Sequence, residues 1–321
     1  MSPSTSKLQQ QLLKPSIWKW YEVVLWLLVF AAPWVFPGHA LIVNEVAIVA
    51  LFALSLDLVL GYSGVVSLGH AAFLGFGAYT AALFAKHVMP DPLTGLLLAI
   101  AATTLLGAVF SLTILRGTDL TRLMVTLGLA LILLELANKL DWLTGGSDGL
   151  QGVLMGPVMG RFEFDLMGQT AATYSLMVLF ILFLAVRHWV HSPLGATVKA
   201  IRDNRLRAAA IGINANAKIS LVYTVAAGLA GAAGALMAQT TGFASLDIFA
   251  LDRSADVMLM LVIGGVGWLY GGLLGAVGFK FMHDFISSIT PQYWTFWIGL
   301  FLVVLVLVGR DKLLKPWKWW A

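Results

Sequence analysis

Residues 171–220, AATYSLMVLFILFLAVRHWVHSPLGATVKAIRDNRLRAAAIGINANAKIS, decide the fold class. The run 171–190 is apolar and carries one full charge, Arg187, near its end. As a helix rising 1.5 Å per residue, it covers the roughly 30 Å hydrocarbon core of a bilayer. A polar, basic loop follows at 191–216, and apolar sequence returns at 217–241. Across 187–218, Arg187, Lys199, Arg202, Arg205, Arg207 and Lys218 stand against Asp203 alone. Two apolar runs joined by a short basic loop predict two transmembrane helices with the loop on the cytoplasmic side.

Working outward, further apolar runs lie at 23–36, 41–60, 67–85, 93–115, 120–141, 249–266, 271–289 and 292–309. With the two above, they predict about ten transmembrane helices. The tail 310–321 has Arg310, Lys312, Lys315 and Lys318 against Asp311, and residues 1–19 hold Lys7, Lys14 and Lys19 with no acid. Both ends are therefore expected in the cytoplasm, which an even number of crossings requires. The segment 142–170 has Asp148, Glu163 and Asp165 against Arg161 and is expected outside. A signal peptide is the other reading of 23–36, but a second apolar run follows almost at once, which favours a retained span. The run 249–266 starts with Asp252, Arg253 and Asp256 and ends in glycines, the pattern of a broken or re-entrant helix. The expected organisation is one membrane domain over 20–309 with cytoplasmic ends and no separate soluble domain. Trp317, Trp319 and Trp320 beside Lys318 suit an interfacial anchor on anionic lipid.

Composition agrees. Charged residues make up 11% of the 321 residues and apolar ones 60%, where a soluble domain carries about 25% charge. Mean hydropathy is +0.88. A soluble enzyme, a disordered chain and a disulfide scaffold are excluded. A transmembrane barrel would alternate apolar and polar residues, which these runs do not. With no cysteine, there is no disulfide, thiolate metal site or cysteine nucleophile. A pI near 9.3 reflects loop charge and implies no nucleic-acid partner.

Three glycine-rich interruptions break the apolar runs. They are GYSGVVSLGHAAFLGFGAY from Gly61, LTGGSDGLQG around Gly145–Gly152, and VIGGVGWLYGGLLGAVG with Gly264, Gly265 and Gly267. Small residues let membrane helices approach closely, which is one reading. The other is that the first and third, in corresponding places of the two halves, mark a transporter's pathway. None is a phosphate-binding loop, because no Lys-Ser/Thr pair follows at the required spacing.

Within the basic loop, Thr197–Ala210 reads as a helix of about 14 residues, roughly 21 Å long, broken at Gly212. Lys199, Arg202 and Arg205 or Arg207 share its polar side, and Ala200, Ile201, Leu206 and Ala210 are left to face a partner or lipid. At this loop the chain resembles the permease subunits of ATP-binding-cassette importers, and more narrowly the LivM-type permeases of the branched-chain amino acid importers. SPLGATVKAIRDNRLRAAAIGIN is similar to their cytoplasmic coupling loop. LDLVLGYSGVVSLGHAAFLGFGAYTAAL at 56–83, the TGGSDGL turn within 120–153, and LMLVIGGVGWLYGGLLGAVGF at 259–279 resemble their other signature blocks. The four occur in family order over about 56–310. The family commonly has an acid where Ala209 stands, and this loop is more basic than usual.

The resemblance implies an all-α importer permease fold, like the vitamin B12 and ribose permeases, in a bacterial inner membrane. It implies half of a pathway for branched-chain or other hydrophobic amino acids, or related amides, urea or aromatic acids. It implies a soluble binding protein, a second related permease and two cytoplasmic ATPases that hold ATP and Mg, so that this chain is not an enzyme and binds no cofactor or metal. The expected ATPase-coupling residues are Gly195, Lys199, Arg202, Asp203, Asn204, Arg205, Arg207 and Gly212. For the pathway, the candidates are Gly64, Ser67, His70, Tyr79, Glu135, Gly264, Gly265 and Lys280. Glu135 and Lys280 sit inside apolar runs, where a charge costs about 2.5–3.5 kcal/mol on insertion scales. They are expected to face the bundle or the second permease, with snorkelling the alternative for Lys280. His70 is either a packing hydrogen bonder or a pathway group, and the six histidines show no metal spacing. A self-sufficient secondary transporter is the competing reading. It would need an ion-coupling acid within a span, for which Glu135 or Asp57 could serve. A membrane enzyme would need a cluster of catalytic groups that the sequence does not contain.

Overall fold

A computed structural model describes residues 18–114 and 119–308; the basic N-terminal residues Lys7 and Lys14 and the tryptophan-rich tail lie outside them. The chain is a bundle of helices, with β-pairing among the described residues limited to isolated bridges. The long helices are α1 (Trp20–Val35), α2 (Ala40–Asp57), α3 (Ala71–His87), α4 (Pro92–Ile114), α5 (Asp119–Lys139) and α6 (Gln169–Val190). Two short loop helices follow, α7 (Pro193–Asp203) and α8 (Arg205–Ala210). Then come α9 (Ala215–Thr241), α10 (Leu251–Gly264), α11 (Gly271–Ile289) and α12 (Trp294–Val308). Each predicted apolar run carries a helix, of 14 residues or more. Among the described residues, five helical stretches are long and apolar enough to cross a membrane: Pro37–Tyr62, Pro92–Ile114, Leu120–Lys139, Gln169–Val190 and Ala215–Thr241. The protein is therefore a polytopic helical membrane protein.

Helix α9 is the axis. Ala226–Leu236 is buried without interruption on it. Alanine and glycine leave room for backbones to touch, which is how membrane helices gain dispersion energy where lipid offers no hydrophobic drive. Its Gly231 lies against Gly77 of α3, and its Gly234 lies against the Leu74 carbonyl. Polar side chains tie the same helices together. Ser175 on α6 donates to Asn44 Oδ1 on α2 at 2.6 Å, and Asn44 donates to Thr240 on α9 at 3.1 Å. Gln239 on α9 donates to the Pro92 carbonyl at 2.7 Å and accepts from Tyr174 at 3.0 Å.

Helix α9, 27 residues long, spans roughly 40 Å and separates two ends of the molecule. At its start lies the basic loop 191–216. Beyond its end, the glycine turn of 142–170 is held by the paired backbones of Leu150 and Ala244, 2.7 and 3.2 Å apart. The acidic and basic segments thus sit at opposite ends of the longest helix. Helix α1 is pinned to α6 by a buried ion pair. Arg187 Nη1 lies 2.8 Å from Glu22 Oε2, and its guanidinium stacks 4.6 Å over the Trp18 ring.

Candidate functional site

The basic loop leaves α6 in a sharp turn. Ser192 caps α7, its hydroxyl accepting from the Gly195 N–H, and Pro193 stands where a helix needs no donor. Gly195 lies against the Val190 carbonyl, so α7 starts folded back on α6. Val198 and Ile201, three apart, share a buried face with Gly195.

The predicted single helix Thr197–Ala210 is instead two. Asn204 is extended, with φ −159° and ψ 101°, and its side chain accepts from the Arg207 N–H at 2.9 Å. It is the N-cap of α8, and capping competes with helix continuation at Asn. The break also changes which residues are free. Ile201, expected to face a partner or lipid, is buried in the bundle, whereas Leu206 is 85% exposed and Ile211 72%. Arg205 is tied to the Asn216 side chain on α9. Arg207 and Gly212 are exposed; Gly212 forms the turn that leads to Asn214, the cap of α9.

Helix α7 docks on the place where two of the glycine-rich interruptions meet. Helix α2 runs from Asp57 into a π-turn, Leu58–Tyr62, before the chain opens toward α3. The Asp57 carboxylate accepts the backbone N–H of Gly267, in the α10–α11 link, at 2.7 Å. Gly61 lies directly against Gly267, and a Cβ there would strike the Gly267 backbone. Gly267 itself has φ +77°, a conformation cheap only for glycine. Arg202 spans the junction. Its guanidinium donates to the Gly61 carbonyl, its Cγ passes where a Gly64 Cβ would be, at 2.8 Å, and it lies beside Asp203 at 3.3 Å. Lys199 adds a cation over the Tyr62 ring at 5.1 Å. Burial, then the neighbouring Arg202 charge, holds the Lys199 ammonium below the ordinary lysine pKa.

The pathway candidates divide. Gly64, Gly264 and Gly265 belong to this junction or its α10 rim, where the Gly264 and Gly271 backbones touch. His70 lies close by at the start of α3. Its Nε2 is 2.9 Å from the Ser55 hydroxyl, its ring stacks on Phe52 at 5.5 Å, and its Nδ1 has no hydrogen-bond partner among the described residues. Ser254 on α10 accepts from the Ala71 N–H at 2.9 Å, so α3 is tied to α10 as well. Ser67 is buried among these elements. Tyr79 is buried farther along α3, stacked on Phe249 at 5.7 Å, its hydroxyl without a hydrogen-bond partner among the described residues.

Glu135 does not point into the bundle. Its side chain is 59% exposed and pairs only loosely with Lys139, at 3.6 Å, one turn on. Nor does it meet Lys280, whose ammonium lies 2.8 Å from Glu45 and 3.2 Å from Asp284. On a helix apolar all round, sequence alone does not separate the inward face from the lipid face. Asp57, read only as an acid near a span end, is the residue the sequence undervalued. Its partner is 210 positions away; the signal was the pair of glycine interruptions, which did meet.

A family described as "Branched-chain amino acid transport system / permease component" matches residues 39–308. The high-affinity branched-chain amino acid transport system permease protein LivM of Escherichia coli strain K12 is 29% identical over 323 aligned residues, covering 90% of this chain and 73% of its own. The protein of the same name from Salmonella typhimurium is 28% identical with the same coverage. The permease protein BraD of Pseudomonas aeruginosa is 24% identical over 81% of this chain and 89% of its own. No solved structure matches.

Proposed function

Because the chain belongs to the family of branched-chain amino acid transport permease components, we propose that it forms half of the pathway of an ATP-driven importer in a bacterial inner membrane. The solute is a branched-chain or related hydrophobic amino acid, delivered by a soluble binding protein. A second related permease supplies the other half, and two cytoplasmic ATPases bind ATP and Mg. The ten long helices are ten crossings of one domain over 20–309. Both termini and the loop 191–216 are then cytoplasmic, and 142–170 is external.

In this reading α8 takes hold of an ATPase and α7 carries the movement inward. The observation that supports it most is the bond from Arg202 on α7 to the Gly61 carbonyl, where the two glycine interruptions touch. A displacement of the loop then reaches α2, α10 and α11 through one side chain. Leu206 and Ile211, apolar and exposed beside Arg207, are suited to anchor a protein partner. The self-sufficient transporter is less well supported, since Glu135 is exposed and only loosely paired with Lys139, and Asp57 already accepts from the Gly267 N–H.

The test is co-purification of the tagged chain from native membranes. The wild type is expected to bring two ATPases and a second permease. The double variant Leu206→Asp/Ile211→Asp is expected to hold the ATPase about 30-fold less well, a hot-spot loss of about 2 kcal/mol, with an unchanged melting temperature. A chain that purifies alone and transports without ATP contradicts the proposal.

A further inference from the structure

A groove of about 670 Å³ lies where α1, α2, α6 and α11 meet. Its wall is apolar, formed by residues such as Val29, Val43, Ala47, Leu179 and Leu273. On α11 it runs from Leu273 to Phe285, roughly 18 Å of helix. Phe36, Phe281 and Phe285 stand exposed along its edges, so it opens outward rather than into the bundle. His39, Lys280 and Asp284 line it as well, at the end of α2 where the helix begins and along the second half of α11.

The charges at this wall do not balance while the neighbouring imidazole is neutral. Lys280 sits between Asp284, in the lining, and Glu45, just beside it, and His283 Nδ1 lies 3.2 Å from the same Asp284 oxygen, so two carboxylates face one ammonium and one imidazole. Both carboxylates are half-exposed, and Glu45, which meets Lys280 alone among these groups, has room for another donor. A surplus negative charge beside hydrocarbon is costly unless a cation answers it. The pattern fits a molecule with a long apolar chain, an ammonium able to donate hydrogen bonds, and an anionic group for Lys280. We propose that this groove binds an aminophospholipid of the phosphatidylethanolamine type. An acyl chain fills the apolar length, the headgroup ammonium meets Glu45 and Asp284, and the phosphate meets Lys280. A phosphatidylglycerol headgroup lacks the ammonium and meets the surplus carboxylate. A choline headgroup cannot donate a hydrogen bond to it. The proposal needs only that the chain is embedded in a membrane and is independent of the coupling role of α7.

The experiment is native mass spectrometry of the purified chain, offered equal amounts of phosphatidylethanolamine, phosphatidylcholine and phosphatidylglycerol. One retained phosphatidylethanolamine per chain is expected, favoured about 5-fold or more over the other two. The variant Glu45→Gln/Asp284→Asn is expected to bring the three lipids to parity. Val277→Trp, which narrows the groove without touching its charges, is expected to remove the retained lipid. A photo-crosslinking residue in place of Phe281 reads the native membrane without perturbing those charges, and it is expected to label lipid. Equal retention of the three lipids by the wild type overturns the proposal. So does a crosslink to protein, whether a second permease or another segment of this chain.

Discussion

Helices α7 and α8 are neighbours in one basic loop, yet they are held in opposite ways. Helix α7 buries Val198 and Ile201 and sends Arg202 and Lys199 onto the bundle. Helix α8 buries only Ala208 and leaves Leu206 and Arg207 exposed. A helix that transmits force needs fixed contacts inward, and one that takes hold of a partner needs an apolar face left open. In the coupling role proposed for this loop, Asn204 is where those needs divide. Charge alone does not separate the two parts, because both are basic.

The largest effect that would break this contrast lies under α7. Gly61→Val drives a branched side chain into the Gly267 backbone. The expected loss is about 3 kcal/mol of stability, the upper range for overpacking, read by thermal unfolding in detergent. A stable Gly61→Val protein would mean that the interruptions are not held together there. Next comes Asp57. Asp57→Ala leaves the Gly267 N–H without its acceptor and is expected to cost about 1–3 kcal/mol. Asp57→Asn keeps an acceptor oxygen and is expected to stay within about 1 kcal/mol of the wild type. Equal losses from the two would assign Asp57 a role other than holding Gly267.

The smallest effect lies at the opposite end of the molecule and serves as a control. Asp165 accepts from the N–H groups of Thr170 at 2.8 Å and Gln169 at 3.1 Å, at the start of α6. Slight burial works against its ionised form, but those bonds outweigh it and hold its pKa below the ordinary aspartate value. The folded state therefore binds a proton less readily than the unfolded one. The resulting stabilisation is present above the unfolded pKa near 3.8 and fades as pH falls through the lower folded value. Asp165 is largely exposed, and solvent screening keeps the effect under about 1 kcal/mol. Asp165→Asn is expected to flatten the acid limb of a stability-against-pH curve without altering uptake.

The fold was legible where length and hydropathy decide it. The runs 171–190, 217–241 and 271–289 coincide within two residues with α6, α9 and α11. The break in the loop was not, because Asn204 sits in a run of good helix formers and its capping role shows only when its side chain meets the Arg207 N–H. Inward and outward faces were also hidden. Glu135 lies among leucines on either face, and only packing shows that it points away. The site was half legible. The glycine interruptions and Arg202 were visible, but Asp57, Gly61 and Gly267 come together only when helices far apart in sequence pack. The tie between Arg187 and Glu22 was concealed in the same way.

The most direct test is the ratio of solute uptake to ATP hydrolysis in the reconstituted complex, with Arg202→Ala set against the wild type. Losing one partly exposed charged hydrogen bond is expected to lower uptake per ATP about 10-fold, equivalent to about 1.4 kcal/mol. ATPase binding and the rate of hydrolysis stay near wild type, because α8 is untouched. An unchanged ratio would contradict the account, and so would loss of ATPase binding in place of uncoupling.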